Sequence, residues 1–175
     1  MNVKLRKLVT CAVICTLAVI SFTIENLLPP LFLPGARIGI SNVFILLSAI
    51  LLGSAYGYAT LIVKVILGSI FSGNFSAVIY ALPSGLVSLT VELILLFVVK
   101  KFSIIACSIF GACINSTLQN LTFCLITGYA EYLCYLPYLA LIGVIGGFIV
   151  GLIVYLLVRK INFSFLSTRV DKNIN

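Results

Sequence analysis

Four charged side chains stand apart from the rest of this sequence: Glu25, Arg37, Lys64 and Glu92. Each lies inside or beside a long apolar run. An ionisable group at membrane depth costs roughly 3 kcal/mol or more unless it is paired or hydrated, so such groups mark either function or a structural ion pair. Lys64 and Glu92 have two readings. They pair and hold two helices together, or Lys64 faces a cavity and meets an anionic ligand. Glu25 and Arg37 likewise form a gate pair or contact a ligand directly. A second constellation is Asn115, Ser116, Thr117, Gln119 and Asn120, five polar residues in a six-residue stretch. Asn115 and Gln119 are four apart and share a helix face. Hydrogen bonding between helices explains this pattern as well as a solute cavity does.

Other chemistry has little to stand on. There is no histidine, which removes Ser-His and Cys-His nucleophiles. The sole aspartate is Asp171, near the C-terminus, so the aspartate clusters that hold magnesium and diphosphate in prenyl transfer are missing. No glycine-rich phosphate loop or Walker motif occurs. A serine-lysine arrangement is compatible with the composition, but no motif supports it. The six cysteines contain no C-x-x-C pair, and five of them fall within apolar runs, where they read as small buried residues. No catalytic residue, metal or cofactor is expected.

The elements that position these groups are membrane spans. The chain has 175 residues, 62% hydrophobic and 9% charged, with a mean hydropathy of +1.29. Soluble domains carry about 25% charge, so this chain cannot dress a water-facing surface. Continuous apolar runs argue against a β-barrel. The expectation is an all-α integral membrane protein with six transmembrane helices: one domain over 1–160, then a cytoplasmic tail over 161–175.

The first span is expected over 8–28 and is read as a retained helix, not a signal peptide. Ser41 and Asn42 are candidate caps for the next. Residues 41–71 would make one helix of roughly 46 Å, too long for one crossing. Two short spans of roughly 13 to 15 residues, or a re-entrant pair, fit better. Residues 72–76 read as a turn. The later spans are 77–99, with Pro83 in its second turn, 102–127, and Pro137 to about Val158. The segment YAEYLCY has the aromatic character of a membrane interface.

Six crossings put the basic clusters Lys4/Arg6/Lys7, Lys100/Lys101 and Arg159/Lys160 on one side, which the positive-inside rule makes cytoplasmic. Both termini then lie in the cytoplasm of a multi-pass cell-membrane protein. These clusters flank spans and do not form the polar surface that nucleic-acid binding needs. The loop PPLFLPGARIGISN, residues 29–42, then faces outward and reads as a candidate lid over a small polar or anionic solute. The substrate-binding set expected from these readings is Glu25, Arg37, Asn42, Lys64, Asn74, Tyr80, Asn115 and Gln119. Cys11, Ala12, Cys15 and Thr16 place small residues four apart on the first helix, for internal packing or for close approach of a partner helix. Gly143, Gly147 and Gly151 line one face of the last span as a close-packing stripe.

Several of these segments carry a resemblance. PGARIGISN, GSAYGYA, LIVKVILGSIFSG, ALPSGLVSL, FGACINSTLQN and YLPYLALIGVIGGFIVGL, in that order and spacing, resemble the Gx transporter family, also labelled heptaprenyl diphosphate synthase component I. That family is similar to the S components of energy-coupling factor transporters. The resemblance covers roughly residues 8–158. It implies an S-component-like bundle that captures a small solute from outside. It also implies a transmembrane coupling protein and ATPase subunits as partners. On that likeness Cys11, Ala12, Cys15 and Thr16 become the partner-docking face, although the alanine pattern is only loosely matched, and residues 29–40 become a gate. The synthase label names at most a non-catalytic accessory subunit on this sequence. An accessory membrane subunit and a stand-alone facilitator are the alternatives to import.

Overall fold

The computed structural model describes residues 3–27, 39–99 and 102–161. Arg37 and the 161–175 tail, apart from Ile161, lie outside them. Six α-helices are present: α1 (Val3–Leu27), α2 (Asn42–Leu52), α3 (Ser54–Phe71), α4 (Ser76–Ile94), α5 (Ile104–Thr127) and α6 (Leu136–Lys160). A π-helical turn, Leu95–Val99, extends α4, and a 3-10 turn, Ala130–Tyr135, joins α5 to α6. No strand occurs among the described residues. Five helices are long and apolar enough to cross a membrane, and α2 is the exception.

The break between α2 and α3 falls at Gly53, whose φ of 117° and ψ of 161° suit glycine and strain other residues. The result differs from two equal short spans. Eleven residues give α2 a length of about 16 Å, whereas the eighteen of α3 give about 27 Å. Nine of the eleven α2 residues are buried, which suits an apolar helix covered by protein on nearly every side. α1 begins earlier than the apolar run suggested and carries Lys4, Arg6 and Lys7 in its first turns. α4 begins at Ser76, so Pro83 sits in the helix interior. It is exposed on the bundle's outer face, and the next residue's hydroxyl, Ser84 Oγ, donates to Tyr80 O at 2.7 Å.

α5 and α6 make the most extensive pairing, α4 packs on α5 and α3, and α2 touches α1, α3 and α6. The α5–α6 seam is the glycine stripe. A Cβ at Gly147 would lie 2.7 Å from Ile109 Cα and Ser108 O, and one at Gly151 would lie 2.8 Å from Ile105 Cα. These backbones approach as only glycine permits. α1, α2 and α3 are joined by Thr60, which donates to Ser48 Oγ at 3.1 Å and Tyr56 O at 2.8 Å, with Cys15 Sγ 3.4 Å away. Tyr58 and Thr90 hydroxyls meet at 2.8 Å between α3 and α4.

Helix alternation sorts the bundle into two ends. The C-terminus of α1, the start of α2, the α3–α4 turn and the α5–α6 turn share one end. The basic start of α1 and the Arg159/Lys160 end of α6 share the other.

Candidate functional site

A cavity of about 630 Å³ runs down from the first of these ends, and all six α-helices contribute to its wall. Glu25, Asn42, Lys64, Asn74, Tyr80, Asn115 and Gln119 all line it. Arg37, the eighth residue expected at the site, is outside the described residues. The lining also holds Asn26, Ser41, Ser88, Glu92, Ser116 and Asn120.

At the upper end the wall is organised by Ser41. As the residue before α2 it sits at the N-cap position, yet its side chain makes no capping bond. Its hydroxyl donates instead to Glu25 Oε2 at 3.0 Å and accepts from Lys64 Nζ at 3.3 Å. Its backbone N–H also donates to Glu25 Oε1 at 3.3 Å. Charged partners outcompete a neutral amide for one hydroxyl, since charge-assisted bonds are roughly twice as strong. Lys64 Nζ also donates to Asn42 Oδ1 at 2.8 Å and stands 5.2 Å from the Phe22 ring centroid. Lys64 is only 4% exposed, so these contacts offset the desolvation of its ammonium.

Halfway down, α5 presents Asn115, Ser116 and Gln119 to the space. Asn120 turns toward the 3-10 segment, where its Nδ2 donates to Tyr132 O at 3.0 Å. Thr117 bonds its own helix at Cys113 O, 2.8 Å away, and does not line the cavity. Tyr80, Phe123 and Tyr132 follow edge to face, with centroids 6.1 and 5.2 Å apart. This ladder ties α4, α5 and the 3-10 turn together beside the mouth.

Glu92 and Gly111 close the lower end. Glu92 lies sixteen residues beyond Ser76, about 24 Å along α4. Its carboxylate lies in the space that a Cβ on Gly111 would occupy, so glycine at 111 lets the side chain rest against α5. Asn26 presents an additional feature at the upper end. Its Nδ2 and Oδ1 are both enclosed without a hydrogen-bond partner among the described residues.

The expected docking residues lie elsewhere. Cys11, Ala12, Cys15 and Thr16 border an apolar groove of about 780 Å³ between α1 and α3. Ala12 and Thr16 are exposed there, whereas Cys11 is buried and Cys15 half-buried against Thr60. No group of three or more His, Cys, Asp or Glu side chains is placed to hold a metal among the described residues.

The arrangement suits binding more than bond making. Carboxamides from three helices (α1, α2 and α5) and the α3–α4 turn offer both donors and acceptors, and the charges sit at two heights. A volume of this size suits a solute of small-molecule dimensions. Residues 14–157 match a family model described as heptaprenyl diphosphate synthase component I. No curated protein and no solved structure matches the chain.

Proposed function

The chain belongs to the heptaprenyl diphosphate synthase component I family, and on that premise we propose that it is a solute-capturing membrane subunit of an energy-coupling-factor-type importer. The observation that carries this reading is the cavity itself, which gathers polar side chains from α1 to α5 of a greasy chain into one space of about 630 Å³. Polar groups at membrane depth are costly unless they serve one another or a ligand. Six crossings, with α2 and α3 both counted, put the basic clusters in the cytoplasm and the cavity mouth outside. Residues 29–40, which include Arg37 and lie almost wholly outside the described residues, are the segment read as the gate. The α1–α3 groove, with Ala12 and Thr16 exposed, is the surface offered to a coupling protein, and separate ATPases supply the energy.

The family description supports a second reading more directly: a non-catalytic accessory membrane subunit of a prenyl diphosphate synthase. Native mass spectrometry of the protein released from detergent, with and without the coupling protein, separates the two. Capture requires a co-purifying small molecule and a complex with the coupling protein. Absence of both, together with a stable complex with a soluble prenyl synthase, would overturn it. A stand-alone facilitator would transport without ATP in liposomes.

A further inference from the structure

Resting on the capture reading above, we infer that the solute carries a nitrogen-rich end, an amine, amidine or N–H edge of a heterocycle, that seats on the Glu92 carboxylate at the bottom of the cavity. Three observations lead there.

The first is the charge along the wall. The described lining holds two carboxylates, Glu25 and Glu92, and one ammonium, Lys64. Glu25 and Lys64 already share the Ser41 hydroxyl, at 3.0 and 3.3 Å, so each answers the other through one bridging group. The Lys64 nitrogen is held at the upper end by Asn42 Oδ1 at 2.8 Å.

The second is the state of Glu92. Among the described residues no side chain hydrogen-bonds its carboxylate, which is half-buried on the cavity wall. The ionised form accepts up to about four hydrogen bonds, and at this depth it is favoured only with donors against it. A donor-bearing solute supplies those bonds.

The third is the accommodation made for it. α5 carries glycine at 111, where a Cβ would take the carboxylate's space. Just above, Asn115, Ser116 and Gln119 from α5 and Ser88 from α4 face the same space. These neutral groups hydrogen-bond a polar solute body without adding charge. An anion would have to bring its charge next to Glu92 or stay at the upper end, where Lys64 already has partners. The basic pair Arg37 and Lys64 suggested an anionic solute from sequence, and the charges of the described lining point the other way.

The test uses full-length protein in detergent, as wild type, Glu92→Gln and Glu92→Asp. Co-purified solute is identified by native mass spectrometry and fragmentation. Agmatine and adipate, of similar length and opposite charge, are then tested by equilibrium dialysis. The expected results are a nitrogen-basic or N–H-rich adduct on wild type and agmatine retained at least about tenfold more than adipate. Glu92→Gln should lose at least about tenfold of both adduct and agmatine, with Glu92→Asp between. Similar melting temperatures for the three proteins would show that the loss is not unfolding. Should Glu92→Gln fail to fold, Glu92→Asp alone carries the comparison. An adduct without such nitrogen, a preference for adipate, or undiminished occupancy in Glu92→Gln overturns this inference and leaves capture standing. No adduct and no probe binding in any of the three proteins overturns this inference, and capture falls with it when the protein also forms no complex with the coupling protein and a stable one with a soluble prenyl synthase.

Discussion

Lys64, eleven residues into α3, donates to Asn42 Oδ1 at 2.8 Å and thereby pins the first residue of α2 to the middle of another helix. The same ammonium reaches Ser41, and Ser41 reaches Glu25 near the end of α1. Three helices that begin or end at the cavity mouth are therefore joined by one lysine, one serine and one carboxylate. The mouth is held by charge-assisted hydrogen bonds, where most of the bundle is held by apolar packing and close backbones.

Removing the lysine should be more damaging than removing the serine. Lys64→Ala leaves Glu25 without its bridged cation in a partly enclosed site, and breaking a buried charge pair from one side costs about 3 kcal/mol or more. Ser41→Ala removes one hydroxyl and costs about 1.5–3 kcal/mol. Thermal melting in detergent should rank wild type above Ser41→Ala and Ser41→Ala above Lys64→Ala. A Lys64→Ala protein that melts like wild type would show that the network contributes nothing to stability.

The glycine seam gives a graded prediction. At Gly147 an added methyl group meets α5 backbone at 2.7 Å, whereas at Gly143 the nearest atom is the movable Ser116 Oγ at 2.9 Å. Overpacking against backbone costs about 1–3 kcal/mol. Gly147→Ala should therefore lower stability more than Gly143→Ala in the same detergent. The reverse order would mean that α5 and α6 are not in contact at these residues.

The long helices were legible because each is a sustained apolar run, and the polar face of α5 was legible because Asn115 and Gln119 keep helical spacing. Both are properties of neighbouring residues. What sequence did not reveal depends on residues far apart. Ser41 reads locally as a helix cap, and its actual partners lie 16 and 23 positions away. Glu92 and Gly111 are an unremarkable pair until α4 and α5 are brought together. The shortness of α2 was hidden for a different reason: apolar character continues unbroken across its residues, and only the backbone at Gly53 marks its end.

Orientation has a natural probe. Cys134 is exposed in the 3-10 turn at the cavity-mouth end, whereas Cys11, Cys107 and Cys124 are buried. A membrane-impermeant maleimide applied to intact cells should label the wild type, and Cys134→Ser should remove most of that label. Labelling that appears only after lysis would place the mouth in the cytoplasm and reverse the topology.

The contact between Glu92 and Gly111 is open to a double-mutant cycle. Gly111→Ala puts a methyl group where the carboxylate lies, so one of the two must move. Glu92 is a flexible side chain bordering the cavity, so moving it off its resting rotamer should cost about 1 kcal/mol. Glu92→Ala removes the obstacle and should make Gly111→Ala nearly harmless in the double variant. The expected coupling is about 1 kcal/mol, above the roughly 0.5 kcal/mol scatter of independent sites. Melting temperatures of the four proteins measure it. Additive effects would mean that the carboxylate does not rest against Gly111, and the placement of Glu92 at the cavity floor would fall with it.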